Sequence, residues 1–366
     1  MSGGDDIFFE GLGAIRLVTL NRPKAMNALT LEMIRAFHPR LEAWARDPEV
    51  AAVVVRGAGN KAFCAGGDIL HIYHGRKDGR NPFGEVFFRE EYRLNRLIKT
   101  FPKPYIALLD GVTMGGGVGV SIHGSHRVAS ERCLFAMPET AIGLYPDVGG
   151  SFFLPRLQGK MGLFIGLTGW RLNAADCCHL GLATHQVPSS AEEALLEALS
   201  GASWQEAKAA AVADGVLESF ASAPAASGLA AWRGGIDRCF GVNSPAEIMA
   251  ALGAEDADWA AKACTLMARA SPTSLCLAFE QIRRGAGLDF DEALKMENRL
   301  SLACLQGHDL YEGIRAVVVE KDQKPKLQPA DLDSITPAQI EQAFASLGAD
   351  DLTFDSPDSG LSQASN

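Results

Sequence analysis

The chain has 366 residues, 47% of them apolar and 21% charged, with a formal net charge of −10. That length and composition allow a large buried core, imply more than one domain or subdomain, and exclude a wholly disordered chain. The acidic balance argues against a nucleic-acid binder, which needs a basic face to neutralise phosphates, while leaving room for a local basic patch that meets an anionic ligand.

The opening residues, MSGGDDIFFEGLGAIRLVTL, contain neither a basic segment followed by an apolar one nor the Arg- and Ser-rich composition of an organellar transit peptide. No run of about 18 apolar residues follows, so no membrane-spanning helix is expected. Eight cysteines are scattered without a CxxC spacing. With no export signal, reduced thiols in a cytoplasmic protein are the simplest expectation.

AIRLVTL (14–20) reads as a strand, and TLEMIRAFHPRLEAWARD (30–47) as a helix with Leu31, Ile34, Phe37, Leu41 and Trp44 on one face and Thr30 as N-cap. VAAVVVRG (50–57) is a β-branched buried strand, GEVFFREEYRLNRLIKTF (84–101) a helix, and PYIALLDG (104–111) a strand. This β-α-β-α-β order predicts a mainly parallel sheet flanked by helices. On a helical wheel, Glu90 falls in the middle of the stripe formed by Val86, Leu94, Leu97 and Phe101, and Glu91 at its edge. From about 158 onward strand patterns fade and amphipathic helices continue through 305; the Ala-, Gly- and Ser-rich stretch 202–235 reads as a flexible connection. The expected division is 1–200 for the core carrying the site, 201–330 for a helical C-terminal region, and 331–366 for a polar tail whose last dozen residues are disordered. Truncation after about 345 should then leave folding and activity unchanged.

Two glycine-rich stretches follow strands. DGVTMGGGVGV places Gly115, Gly116, Gly117 and Gly119 at a helix start, where each interior glycine costs about 1 kcal/mol relative to Ala. Close packing on a neighbour explains such glycines, and so does exposure of backbone N–H groups to a negative charge on a ligand. KAFCAGGDI supplies Gly66 and Gly67 at the end of an earlier strand. Two such loops can offer one N–H each to a single oxygen. The spacings of dinucleotide-binding, P-loop and nucleophile-elbow motifs are not met. HIYH (71–74) lacks a third ligand, so no metal site is expected.

MPETAIGLYPDVGG (137–150) carries two acids, Glu139 and Asp147, around an apolar run. An apolar surrounding raises a carboxylate's pKa and strengthens its interaction with nearby dipoles. Asp147 also fits the N-cap of a helix over 149–157.

NRPKAMNAL, FCAGGDI, MGGGVGV and MPETAIGLYPDVGG, in this order and spacing, resemble the crotonase (enoyl-CoA hydratase/isomerase) superfamily. With FFREEY, FFLPRL and DLYEGIRAVVVEKD, the resemblance extends over residues 10 to 330 and narrows to a branch that hydrolyses a short branched 3-hydroxyacyl-CoA thioester in valine catabolism. It implies an α/β fold, a spiral of repeated ββα units with a helical C-terminal region. It further implies an acyl-CoA substrate whose carbonyl oxygen lies between the N–H groups of Gly67 and Gly116, with Glu139 as nucleophile or base. Asp147 would bind the 3-hydroxyl or position water, and Glu91 would contact substrate. Lys24, Ala25, Asp68 and Ile69 would line the CoA moiety. No cofactor is implied beyond the CoA of the substrate, and no nucleic-acid or membrane partner; a homo-oligomer is left open. Hydratases of the superfamily carry a glutamate where this chain has Gly119, which disfavours the alternative of an enoyl-CoA hydratase or isomerase. Retention of Glu139 and Asp147 together disfavours a non-catalytic CoA-binding subunit.

Overall fold

The computed structural model describes residues 5–204 and 208–354. Nine strands lie among them: β1 (Ile7–Leu12), β2 (Ile15–Leu20), β3 (Ala52–Gly57), β4 (Ala62–Cys64), β5 (Tyr105–Leu109), β6 (Val112–Met114), β7 (His126–Ala129), β8 (Leu134–Ala136) and β9 (His185–Gln186). The larger sheet runs β1-β2-β3-β5-β7-β9 and the smaller β4-β6-β8. Only the β1–β2 hairpin is antiparallel. The pairs β3–β4, β5–β6 and β7–β8 each give one strand to either sheet, so the chain winds as a spiral of ββα turns, the expected fold. The late strand β9 is two residues long, too short for a pattern to announce it.

Alternate residues of the larger sheet are buried on both faces. Val18, Leu20, Val53, Val55, Ala107 and Leu109 join the main core, while Ile15, Leu17, Val54, Ile106 and Leu108 pack under Leu195, Leu196, Leu199 and Leu217. The helix Leu31–Arg46 begins at Thr30, whose Oγ1 accepts from Met33 N at 3.1 Å. The helix Pro82–Lys99 begins at Asn81, which accepts from Gly84 N at 2.9 Å.

Three expectations change. Among the described residues of 202–235, the helices Ala209–Phe220 and Leu229–Cys239 stand where a flexible connection was expected, with Ala213, Leu217, Leu229 and Ile236 buried. Their buried contacts rest on a few small or single large side chains, which leave a weak periodic signal. Residues 331–354 are also docked: Ile340 and Phe344 of the helix Pro337–Phe344 are buried, Leu352 is fully buried, and Asp351 makes a two-pronged pair with Arg299 at 2.7 Å per bond. The expected disorder of the last dozen residues falls at 355–366, outside the described residues. Finally, Glu91 rather than Glu90 faces inward. The buried face of its helix runs through Phe87, Glu91, Leu94 and Ile98; Val86 is exposed, and Glu90 pairs with Arg35 at 2.7 Å. Val86 points to solvent and Phe101 lies beyond the helix end at Lys99, so neither marks the buried face of this helix.

Candidate active site

A cavity of about 1050 Å³ opens between the two glycine loops, the helix Pro82–Lys99 and the 137–147 segment. Ile69, Ile72, Phe87, Phe88 and Leu144 supply apolar wall; Gly67, Glu91, Gly116, Glu139 and Asp147 also line it. Five predicted site residues far apart in sequence thus converge. Positive charge reaches the walls through Arg171, Arg269 and Lys326, in a chain whose net charge is −10.

The glycine loops are forced by geometry. Gly66 and Gly115 have φ of +126° and +49°, which a side chain rarely tolerates. At Gly116 an added Cβ would stand 2.5 Å from Glu91 Oε1 and 3.1 Å from Gly67 N. The backbone N–H groups of Gly67 and Gly116 donate to no protein acceptor among the described residues, although both loops are otherwise bonded. Unpaired amides at the end of a cavity are donors held ready for a ligand oxygen. Both readings of the glycine run hold together: Gly117, where an added Cβ would fall 2.1 Å from Cys64 O, is there for packing.

The acids are almost free of water, with Glu91, Glu139 and Asp147 at 2%, 4% and 3% exposure. Glu139 opens a short 3-10 turn, Glu139–Ile142, ended by Gly143 at φ +78°. Its Oε2 and the Oε1 of Glu91 have no hydrogen-bond partner among the described residues. Burial pushes Glu139 and Glu91 well above the usual carboxylate range, and the negative charge of Asp147 pushes in the same direction. Burial raises Asp147 to about 7, opposed by the hydroxyl of Tyr92, which donates to its Oδ2 at 2.9 Å. A desolvated carboxylate with a free oxygen, in one cavity with two unpaired N–H groups, is chemically able to serve as nucleophile or base beside an oxyanion site.

Asp147 does not cap a helix. The helical turn that follows is Gly150–Phe153, with Gly149 at its N-cap position and no side-chain cap. The turn 147–151 is clamped from outside instead. Glu297 accepts from Gly149 N and Ser151 N, each at 2.8 Å, Gln281 donates to Ser151 Oγ at 2.9 Å, and His123 Nε2 donates to Val148 O at 2.7 Å. These bonds hold Val148 at φ +51°, a conformation a β-branched residue otherwise avoids at a cost of about 1–3 kcal/mol. Glu297, Gln281, Tyr92 and Ser301 were missed in the sequence. For Glu297 and Ser301 a signal existed: they share a buried helix face with Leu294 and Leu305.

Of the four residues expected along CoA, only Ile69 lines the cavity. Lys24 and Ala25 are exposed on the 3-10 turn Pro23–Ala25, and Asp68 is held at its edge by Arg22 Nη2 at 2.9 Å. Cys64, beside the Gly66 loop, is fully buried and pushed up to about 12 by desolvation, which leaves it an inert thiol.

The chain belongs to the enoyl-CoA hydratase/isomerase family, whose sequence pattern it matches over residues 15–344. It is 49% identical over 357 residues to a mitochondrial 3-hydroxyisobutyryl-CoA hydrolase of Danio rerio, spanning 95% of this chain and 92% of the relative. The Homo sapiens protein of the same name is 47% identical over 354 residues, 96% and 91% of the two chains. Among solved structures it resembles a carnitinyl-CoA dehydratase from Mycobacterium thermoresistibile, with a TM-score of 0.89 at 42% identity over 96% of this chain and 99% of the other. It also resembles an enoyl-CoA hydratase from Rhodobacter sphaeroides, with a TM-score of 0.86 at 38% identity over 95% and 100%. The names of the hydrolases overturn the cytoplasmic expectation: these relatives are mitochondrial. Reduced cysteines do not separate one reducing compartment from another.

Proposed function

We propose that this enzyme hydrolyses the thioester of 3-hydroxyisobutyryl-CoA, giving 3-hydroxyisobutyrate and CoA, as a step of valine catabolism. The observation that carries the reading is the convergence of Glu139 and Asp147 on one desolvated cavity with the unpaired N–H groups of Gly67 and Gly116. The thioester carbonyl oxygen enters between the two amides, whose dipoles stabilise the charge it gains as the tetrahedral intermediate forms. Glu139 serves the attack along either of two routes, by adding to the carbonyl carbon and giving an acyl anhydride that water then opens, or by taking a proton from the attacking water. On both routes the carbon–sulfur bond breaks, CoA leaves as its thiol, and water supplies the second carboxyl oxygen of the acid. Asp147 accepts from the 3-hydroxyl and so selects hydroxylated acyl chains. Glu91, with an unpaired oxygen beside Gly116, contacts the bound acyl group. CoA comes with the substrate, and the reaction as written calls for no other cofactor.

The likeness to a carnitinyl-CoA dehydratase and an enoyl-CoA hydratase raises hydration as the rival reading. Hydration across an alkene in this family uses a second carboxylate at the place of Gly119. Here an added Cβ at 119 would stand 2.7 Å from Val148 Cβ and 2.8 Å from Asn95 Nδ2, so no side chain fits. The test is a panel of acyl-CoAs, with released thiol and loss of enoyl absorbance followed together. Free CoA from 3-hydroxyisobutyryl-CoA is expected, with little or no hydration of crotonyl-CoA, and Glu139→Gln should remove thiol release while leaving thioester binding largely intact. Fast hydration with no thiol released from any 3-hydroxyacyl-CoA would overturn the proposal.

A further inference from the structure

Behind Asp147 lies a closed set of three hydroxyls that the reaction described above does not use. Tyr92, Tyr145 and Ser301 are each at most 1% exposed. They come from the helix Pro82–Lys99, the segment leading to Asp147, and the helix Phe290–Gln306. Ser301 Oγ lies 2.6 Å from the Tyr92 hydroxyl and 2.7 Å from that of Tyr145. Tyr92 donates to Asp147 Oδ2 at 2.9 Å, and Tyr145 donates to the main-chain carbonyl of Glu297.

Each hydroxyl has one proton to give. The Tyr92 proton is committed to Asp147 and the Tyr145 proton to the carbonyl, so Ser301 donates to one of the two phenol oxygens. Three protons satisfy the set with Asp147 ionised. The far end is a peptide carbonyl, which neither yields nor retains a proton, and the hydroxyls are sealed from water. The set is therefore a dead end for proton transfer. What it does have is a fixed geometry: Oδ2 of Asp147, a residue of the cavity wall, is taken by Tyr92, while Oδ1 accepts no side-chain hydrogen bond among the described residues.

We infer that Tyr92, backed by Ser301 and Tyr145, is a positioning residue that holds the Asp147 carboxylate with one chosen oxygen toward the substrate's 3-hydroxyl. The inference rests on the role given to Asp147 above. Because the Tyr92 hydroxyl bonds the charged form of Asp147, its loss also makes that carboxylate harder to ionise. Ser301 acts one bond further out, by holding the phenol of Tyr92 in place.

The test uses the full chain with Tyr92→Phe, Ser301→Ala, Asp147→Asn and the double variant Tyr92→Phe/Asp147→Asn. Each is assayed with 3-hydroxyisobutyryl-CoA and with isobutyryl-CoA, which lacks the hydroxyl, across pH, with thermal melting alongside. A hydrogen bond to a charged group supports an expected loss of about 10- to 100-fold in kcat/KM for the hydroxylated substrate in Tyr92→Phe. The acid limb of its profile should move to higher pH, with a much smaller loss on isobutyryl-CoA. Ser301→Ala should show the same pattern more weakly, and the double variant should be no worse than Asp147→Asn alone. An unmoved pH limb, equal losses on both substrates, or additive losses in the double variant would each overturn the inference while leaving the role of Asp147 standing. If Asp147→Asn itself keeps wild-type discrimination between the two substrates, the reading of Asp147 falls and the inference falls with it.

Discussion

Adding one methyl group at Gly116 separates the oxyanion site from the fold that carries it. The Cβ of Gly116→Ala would lie 2.5 Å from Glu91 Oε1, 3.1 Å from Gly67 N and 3.3 Å from Gly66 C. The first contact can be relieved by turning a carboxyl group; the other two involve backbone, so the methyl pushes the two glycine loops apart. Gly116 opens the helical turn Gly116–Gly119 and its φ is not positive, so alanine has no backbone strain there and gains up to about 1 kcal/mol in helix propensity. Stability should stay close to wild type. Removing one oxyanion donor costs about 100- to 1000-fold in kcat, or about 2.7–4 kcal/mol of transition-state stabilisation, and that loss is expected here. Gly117→Ala is the control: its Cβ would meet Cys64 O at 2.1 Å and Cys64 Cβ at 2.9 Å, which no side-chain rotation relieves. That variant should melt markedly earlier. Thiol release from 3-hydroxyisobutyryl-CoA, measured with melting curves of both variants, checks the pair. A Gly116→Ala enzyme within about threefold of wild-type kcat would refute the argument, since the loss from one donor is about 100-fold at least.

The buried acids make stability pH-dependent in a defined direction. Burial raises Asp147 to about 7 from an ordinary value of about 3.9, so the folded chain holds the proton more tightly than the unfolded one. The associated stability is full below about pH 4 and is lost as pH rises through about 7. Asp147→Asn removes this titration, so it should raise Tm over wild type near pH 8, with the gain shrinking toward pH 5; a gain that grows toward pH 5 would reverse the sign. Gly119→Glu should lose thiol release before it yields any hydration of crotonyl-CoA, because the new side chain meets Val148 and Asn95; measurable hydratase activity in a folded variant would count against this. Truncation after Ala345 should lower Tm, since it removes fully buried Leu352, worth about 1.5–3 kcal/mol, together with the Asp351 pair to Arg299. An unchanged melting curve would show that the segment adds nothing.

Much of this architecture is legible in the sequence because it rests on local rules. Thr30 before an apolar repeat marks a helix start, and the β-branched run at 53–55 marks a central strand. The glycines at 66, 67 and 115–117 mark backbone brought close to backbone. The acids of the site are also visible, because Glu139 and Asp147 stand in an apolar segment where charge needs a reason. What is not legible is what crosses between distant elements. Glu297 reaches back about 150 residues to the turn after Asp147, and its helix reads only as amphipathic. The choice between Glu90 and Glu91 depended on the rotation of one helix against its neighbours, a tertiary quantity. The resemblance carried Glu91, where periodicity alone chose its neighbour.

Position 119 and position 147 are two ends of one structural exchange. The space a side chain at 119 would need is filled by Val148, at 2.7 Å from the place of an added Cβ. Val148 is held there at φ +51° by the bond from His123 to its carbonyl and by the grip of Glu297 on the next turn. The residue immediately before it is Asp147. A glycine at 119 therefore does more than remove a carboxylate. It lets the 147–149 turn close over the helix Gly116–Gly119, and that closure carries Asp147 into the cavity wall. A side chain at 119 would instead meet Val148 and Asn95, so it could enter only if the turn after Asp147 moved. On the proposed reading, the packing around residue 119 leaves no room for a second carboxylate there and sets Asp147 in the wall of the cavity instead.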